Sequence, residues 1–265
     1  MNSVTFKRST LQVNGVDLSL LECGAGEPDL VFLHYWGGAA RTWAGVMHHL
    51  ADRHRCIAID FRGWGESSKD AQDHSLETLA SDVLEVLRAR DLGNVVLIGH
   101  SMGGKVAQLV AARNPGLSGL VLYAPAPPTP LAVPEEDRNG FIELYQTRQG
   151  AEMVVRNLTP HALSESAREQ IIEDTLRGAP AAKRAWPMQG MVEDITSQTS
   201  RVSVPIAIIA GGDDPVEPAA SLRKAFAVAG LAPPIVCLPG VGHIAPLEDP
   251  AGLAKAIGDA TRVIA

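Results

Sequence analysis

The chain has 265 residues, 46% of them hydrophobic and 20% charged, enough to bury one large core and too apolar for disorder over most of its length. A formal net charge of -7 without a Lys/Arg cluster excludes nucleic acid and anionic membrane surfaces as expected partners, since both demand a cationic face. Cys23, Cys56 and Cys237 are odd in number and far apart, so neither a disulfide framework nor a zinc site is expected.

Residues 5–13 and 16–22 are strand-like around Asn14-Gly15, a strong hairpin signal. The start of the chain lacks the apolar core of a leader, and no stretch reaches the ~18 apolar residues of a membrane span, so a cytoplasmic protein is expected. Residues 29–33 form the next strand and run into His34-Tyr35-Trp36-Gly37-Gly38, a loop whose exposed N–H groups suit an oxyanion. Helical spacing covers residues 41–50, a buried strand residues 55–60, and a glycine-punctuated loop residues 61–67. Ser75 is placed to cap a helix over residues 76–89, with Leu76, Leu79, Val83, Val86 and Leu87 on one face.

Residues 95–98 are a short apolar strand that ends in Gly99-x-Ser101-x-Gly103, with helical spacing from Lys105 to Arg113. A strand running into a helix over this spacing holds Ser101 on a tight bend with its hydroxyl clear of the sheet, and the flanking glycines leave room for the turn. Ser101 is therefore the candidate nucleophile. Residues 117–123 are another strand, after which the alternation stops: residues 124–134 are dense in proline, and residues 135–148, 151–157, 164–176 and 181–195 read as helices only. Such an insertion between sheet strands predicts a helical cap over residues 125–200, with a core made of residues 1–124 and 201–265. The sheet resumes at 204–210, followed by a helix at 218–229, a strand at 235–238 and a closing helix at 250–264. Strand-helix alternation predicts an α/β fold, a mostly parallel twisted sheet flanked by helices, with its site at the strands' carboxyl ends.

A serine hydroxyl needs a general base within reach and a group that orients the base. The loop after residues 204–210 carries Asp213 and Asp214, and the loop after residues 235–238 carries His243, so acid and base fall on the same sheet edge as Ser101. His34 and His100 flank the site as packing residues, Asp60 and Arg62 hold a loop, and His48, His49 and His54 have no carboxylate or thiol at ligand spacing, so no metal is expected.

With these pieces in order, the chain resembles the α/β-hydrolase superfamily, of the serine esterase and lactonase type with a helical cap inserted after the sixth strand. The resemblance rests on residues 34–38, 60–67 and 99–103, on Gly211-x-x-Asp214-x-x-x-Pro218, and on Gly242-His243. It implies Ser101 as nucleophile, His243 as general base and then acid, Asp214 as the orienting carboxylate, and the backbone N–H groups of Met102 and Trp36 as oxyanion donors. Tyr35 stands where the family usually has glycine, which leaves the Tyr35 N–H as the alternative second donor. The substrate pocket is expected to be apolar, with Tyr35, Trp36 and Tyr123 on the core side and Trp186, Met188 and Met191 from the cap. The implied activity is cofactor-independent cleavage of a small-molecule ester or lactone. The same residues also suit a carbon-carbon bond hydrolase or a perhydrolase, and the fold suits a ligand-binding receptor.

Overall fold

The computed structural model describes residues 4–264; residues 1–3, which open the stretch read for a leader, and residue 265, which closes the expected core, lie outside it. The chain opens on the hairpin of β1 (Lys7–Val13) and β2 (Val16–Cys23), then β3 (Asp29–Leu33). Asn14 and Gly15 both take positive φ, as the two-residue turn requires. The helix expected over residues 41–50 is divided: a 3-10 turn at Ala40–Trp43 leads into α1 (Ala44–Leu50). There follow β4 (Cys56–Ile59), α2 (Leu76–Ala89), β5 (Val95–His100), α3 (Met102–Arg113) and β6 (Gly119–Tyr123). Ser75 caps α2 by accepting from the Thr78 N–H, and the five apolar residues expected on one α2 face are all buried.

Between β6 and β7 (Ile206–Gly211) the chain leaves the sheet for α4 (Glu135–Leu144), α5 (Arg148–Leu158), α6 (Glu165–Arg177), α7 (Pro180–Ala185) and α8 (Thr196–Thr199). The single helix expected over residues 181–195 does not form. α7 gives way to a π-turn at Trp186–Gly190, because Pro187 has no N–H for the ladder and Gly190 lets the backbone loosen. After β7 come α9 (Ala219–Val228), β8 (Ile235–Leu238), α10 (Ala245–Glu248) and α11 (Pro250–Ile264).

The eight strands lie in the order β1-β2-β4-β3-β5-β6-β7-β8, antiparallel where β1 meets β2 and β2 meets β4, parallel elsewhere. In β5 successive side chains alternate between two cores: Val95 and Leu97 join one cluster, Val96 and Ile98 the other. A sheet buried on both faces explains why β5, β6 and β7 read as continuous apolar runs. Parallel pairing of β3, β5, β6, β7 and β8 brings the loops after all of them to one edge.

Candidate active site

Ser101 sits between β5 and α3 at φ 52° and ψ -118°, a conformation that costs a non-glycine residue on the order of 1–3 kcal/mol. The close packing that enforces it is visible at the two flanking glycines. A Cβ on Gly103 would stand 2.5 Å from the His34 carbonyl oxygen, and one on Gly99 2.6 Å from that of Gly103. The serine main chain is tied down by its own carbonyl, which accepts from the N–H of Gly104 at 2.8 Å and of Ala126 at 3.0 Å. Ser101 stays partly exposed, and it lines a cavity of about 140 Å³.

Asp214 follows β7 and His243 follows β8. His243 Nδ1 lies 2.8 Å from Asp214 Oδ2, with both side chains almost wholly buried. The other carboxylate oxygen, Oδ1, accepts from the N–H of Val216 at 2.7 Å and of Glu217 at 3.0 Å. Burial pushes the Asp214 carboxyl up, but the imidazole and these N–H donors outweigh it and hold it below the usual carboxylate range. An ionised Asp214 in this position keeps the proton of His243 on Nδ1 and leaves Nε2 with its lone pair. Asp213, the rival carboxylate, is half exposed and faces away, its Oδ2 2.9 Å from His161 Nε2.

His243 is joined to the serine bend through His100, whose Nε2–H donates to the His243 carbonyl at 2.8 Å. Burial drives the His100 pKa well below its usual value, so it acts as a neutral brace. His34 behaves likewise: its Nε2 accepts the Phe61 N–H at 3.1 Å, so Nδ1 carries the proton and donates to the Tyr35 carbonyl at 2.7 Å. Burial lowers the His34 pKa to about 4, in keeping with that neutral tautomer. The Tyr35 carbonyl also accepts from Gly38 N–H at 3.0 Å. Because the peptide is planar and trans, clamping that carbonyl aims the Trp36 N–H the opposite way. The Met102 N–H opens α3 and has no intrahelical acceptor.

The cavity joins the sheet edge to the insertion. Tyr35, Trp36 and Val216 form one wall; Phe141, Leu144, Tyr145, Val154, Asn157, Leu158, Trp186 and Met191 form the other. Four of the six residues expected to contact substrate, Tyr35, Trp36, Trp186 and Met191, therefore line it, and two do not. Tyr123 is completely buried beneath the histidine loop, where its hydroxyl donates to the Gly242 carbonyl at 2.5 Å and accepts from the Ala245 N–H at 3.2 Å. Met188, in the same π-turn as Trp186, lies outside the lining. Hollows of 390, 510 and 560 Å³ exist elsewhere among the described residues, but none includes Ser101; Asp214 and His243 line neither these nor the Ser101 cavity.

The sequence does not single out Phe141, Leu144, Tyr145, Val154, Asn157, Leu158 or Val216 of the cavity wall, nor Glu248 behind His243. Tyr145 stacks on Trp36 with ring centroids 3.6 Å apart, and its hydroxyl donates to the Trp36 carbonyl at 3.0 Å. The apolar spacing of Phe141, Leu144 and Tyr145 was the available signal. Glu248 accepts from the N–H of Gly242 at 3.0 Å and of Ile244 at 3.2 Å, bracketing His243, and no spacing rule marks it out.

Residues 30–256 match the model of the Alpha/beta hydrolase family. The chain is 26% identical over 260 residues to the 2-(acetamidomethylene)succinate hydrolase of Mesorhizobium japonicum, covering 93% of this chain and 92% of that one. It is 30% identical over 207 residues to the non-heme chloroperoxidase of Streptomyces lividans, covering 71% and 75%. Its fold is similar to that of an esterase from Exiguobacterium antarcticum, with a TM-score of 0.84 at 20% identity over 97% of this chain and 99% of that one.

Proposed function

The chain belongs to the alpha/beta hydrolase family, and on that premise we propose that it is a cofactor-independent serine hydrolase that cleaves a carboxylic ester or lactone of an apolar small molecule. The observation that carries this reading is the buried 2.8 Å contact of His243 Nδ1 with Asp214 Oδ2, on the edge where Ser101 holds its strained bend. Ser101 Oγ adds to the substrate carbonyl carbon while His243 Nε2 takes its proton, and the Asp214 carboxylate stabilises the resulting imidazolium. The N–H groups of Met102 and Trp36 donate to the tetrahedral oxyanion, each worth about 3 kcal/mol to the transition state. Collapse breaks the bond to the alcohol oxygen, which takes the proton from Nε2. Water then attacks the acyl-enzyme by the same route and returns Ser101.

The insertion acts as a cap in this reading, since it supplies Tyr145, Leu158, Trp186 and Met191 to the cavity wall. At about 140 Å³ the cavity is well below the ~300–1,000 Å³ of drug-sized sites, which favours short acyl groups. Likeness to a chloroperoxidase favours a second reaction at the same site, in which hydrogen peroxide replaces water in attacking the acyl-enzyme and a peracid leaves.

The test is intact mass after treatment with a reactive organophosphonate, alongside hydrolysis of p-nitrophenyl esters. One adduct, absent from Ser101→Ala, together with ester turnover by the wild type alone, is expected. An adduct that persists in Ser101→Ala, or no adduct and no turnover, overturns the reading.

A further inference from the structure

The main chain around His243 is held from the insertion as well as from the sheet domain. The His243 N–H donates to the Leu158 carbonyl at the end of α5, at 2.8 Å. The N–H groups on either side of His243, from Gly242 and Ile244, donate to the Glu248 carboxylate, and that carboxylate also receives the Thr159 hydroxyl. Thr159 is buried and packed so tightly on Gly242 that a Cβ there would stand 2.8 Å from Thr159 Oγ1. The same hydroxyl accepts the His161 N–H at 3.0 Å, and the His161 ring reaches Asp213, the neighbour of Asp214. Within residues 158–161, Leu158 thus bonds to the histidine loop, Thr159 to the Glu248 carboxylate that braces it, and His161 to the acid loop. Leu158 also lines the cavity with Ser101, so the peptide that holds the base is part of the substrate's wall.

We propose that residues 158–161 form a clasp through which the insertion positions His243, with Thr159 as a positioning residue acting through Glu248. The proposal rests on the serine-hydrolase reading for the role of His243, while the clasp itself can be read in the resting protein. Orientation is where such a contact acts: a misplacement of about 1 Å at a catalytic group costs roughly a hundredfold in rate, so removing one of several clamps is expected to cost about tenfold. Thr159→Val keeps the shape and removes the hydroxyl, whereas Thr159→Ser keeps the hydroxyl.

Two readouts are needed. The first is the low-field proton NMR resonance of His243 Nδ1–H in the resting protein and its exchange with solvent; the second is kcat and KM on p-nitrophenyl butyrate. In Thr159→Val the exchange is expected to quicken about tenfold and kcat to fall about tenfold, with KM within about twofold, and Thr159→Ser is expected to restore both. An unchanged resonance and exchange rate in Thr159→Val overturns the clasp, as does a loss that appears in KM alone. If the wild type turns over no ester, the hydrolase reading falls and the resonance still decides the clasp. Should Thr159→Val fail to fold, His161→Leu cuts the second arm at a partly exposed side chain, and the same two readouts apply.

Discussion

At the scale of single residues, the site depends on which of two adjacent carboxylates is buried. Asp214 places both oxygens on donors, one on His243 and one on the N–H groups of Val216 and Glu217, while Asp213 points to the half-exposed ring of His161. Asp214→Asn keeps the volume but removes the charge that sets the imidazole tautomer, so kcat is expected to fall by about 10⁴-fold. Asp213→Asn is expected to change it by less than about tenfold. Steady-state kinetics on one ester distinguishes the two, and equal losses would contradict the assignment. The spacing of Asp214 to Pro218 favours the same carboxylate, whose Oδ1 accepts the N–H groups of Val216 and Glu217 in the turn that leads to α9. Glu248 carried no such mark, since it finds Gly242 and Ile244 only through the fold of α10.

At the scale of elements, the insertion is tied to the sheet domain through its proline-dense stretch. In the proline-dense stretch the Leu131 N–H donates to the Met191 carbonyl at 2.8 Å, and the Pro128 carbonyl accepts the Ile195 N–H at 2.9 Å. Lys105, wholly buried on α3, donates to the Glu193 carbonyl at 2.6 Å and joins this stem to the helix behind Ser101. Periodicity marked the helices of the insertion but ran through Pro187 and Gly190, where the π-turn replaces them and swings Trp186 into the cavity. Trp186→Ala is expected to lengthen the acyl chamber. The ratio of kcat/KM for p-nitrophenyl octanoate to that for the butyrate should rise by about tenfold, the discrimination that a methylene or so commands in an apolar pocket. An unchanged ratio would mean that Trp186 packs the insertion without bounding the substrate.

At the scale of the whole molecule, buried ionisable groups near the site write themselves into stability. Burial, reinforced by the Asp214 charge, raises the Glu217 carboxyl to about 8 despite Lys105. A raised carboxyl pKa means that the folded protein holds more protons than the unfolded chain between the ordinary glutamate range and about pH 8, so Glu217 makes stability fall as pH rises through that window. Glu217→Gln removes the titration. Its Tm relative to wild type is expected to rise steadily from about pH 5 to about pH 8 and to level off above, as followed by thermal unfolding across pH. A difference that does not vary with pH would mean that Glu217 is ionised throughout.

Much of this architecture was legible along the chain. Alternating apolar strands and amphipathic helices predict a parallel sheet, and the loops after β5, β7 and β8 carry Ser101, Asp214 and His243 in the order of the chain. Those features are local: a strand buried on both faces must be apolar throughout, a tight bend requires glycine at fixed offsets, and parallel pairing sends every such loop to one edge. What faces the cavity is a different kind of property. Tyr123 and Met188 have the chemistry of pocket residues and lie outside it, while Tyr145 enters it by stacking on Trp36 across more than a hundred residues. Side-chain direction in the insertion depends on how a π-turn and a proline stem seat the helices on the sheet domain. Those contacts join residues far apart in the chain, so only the tertiary structure decided them.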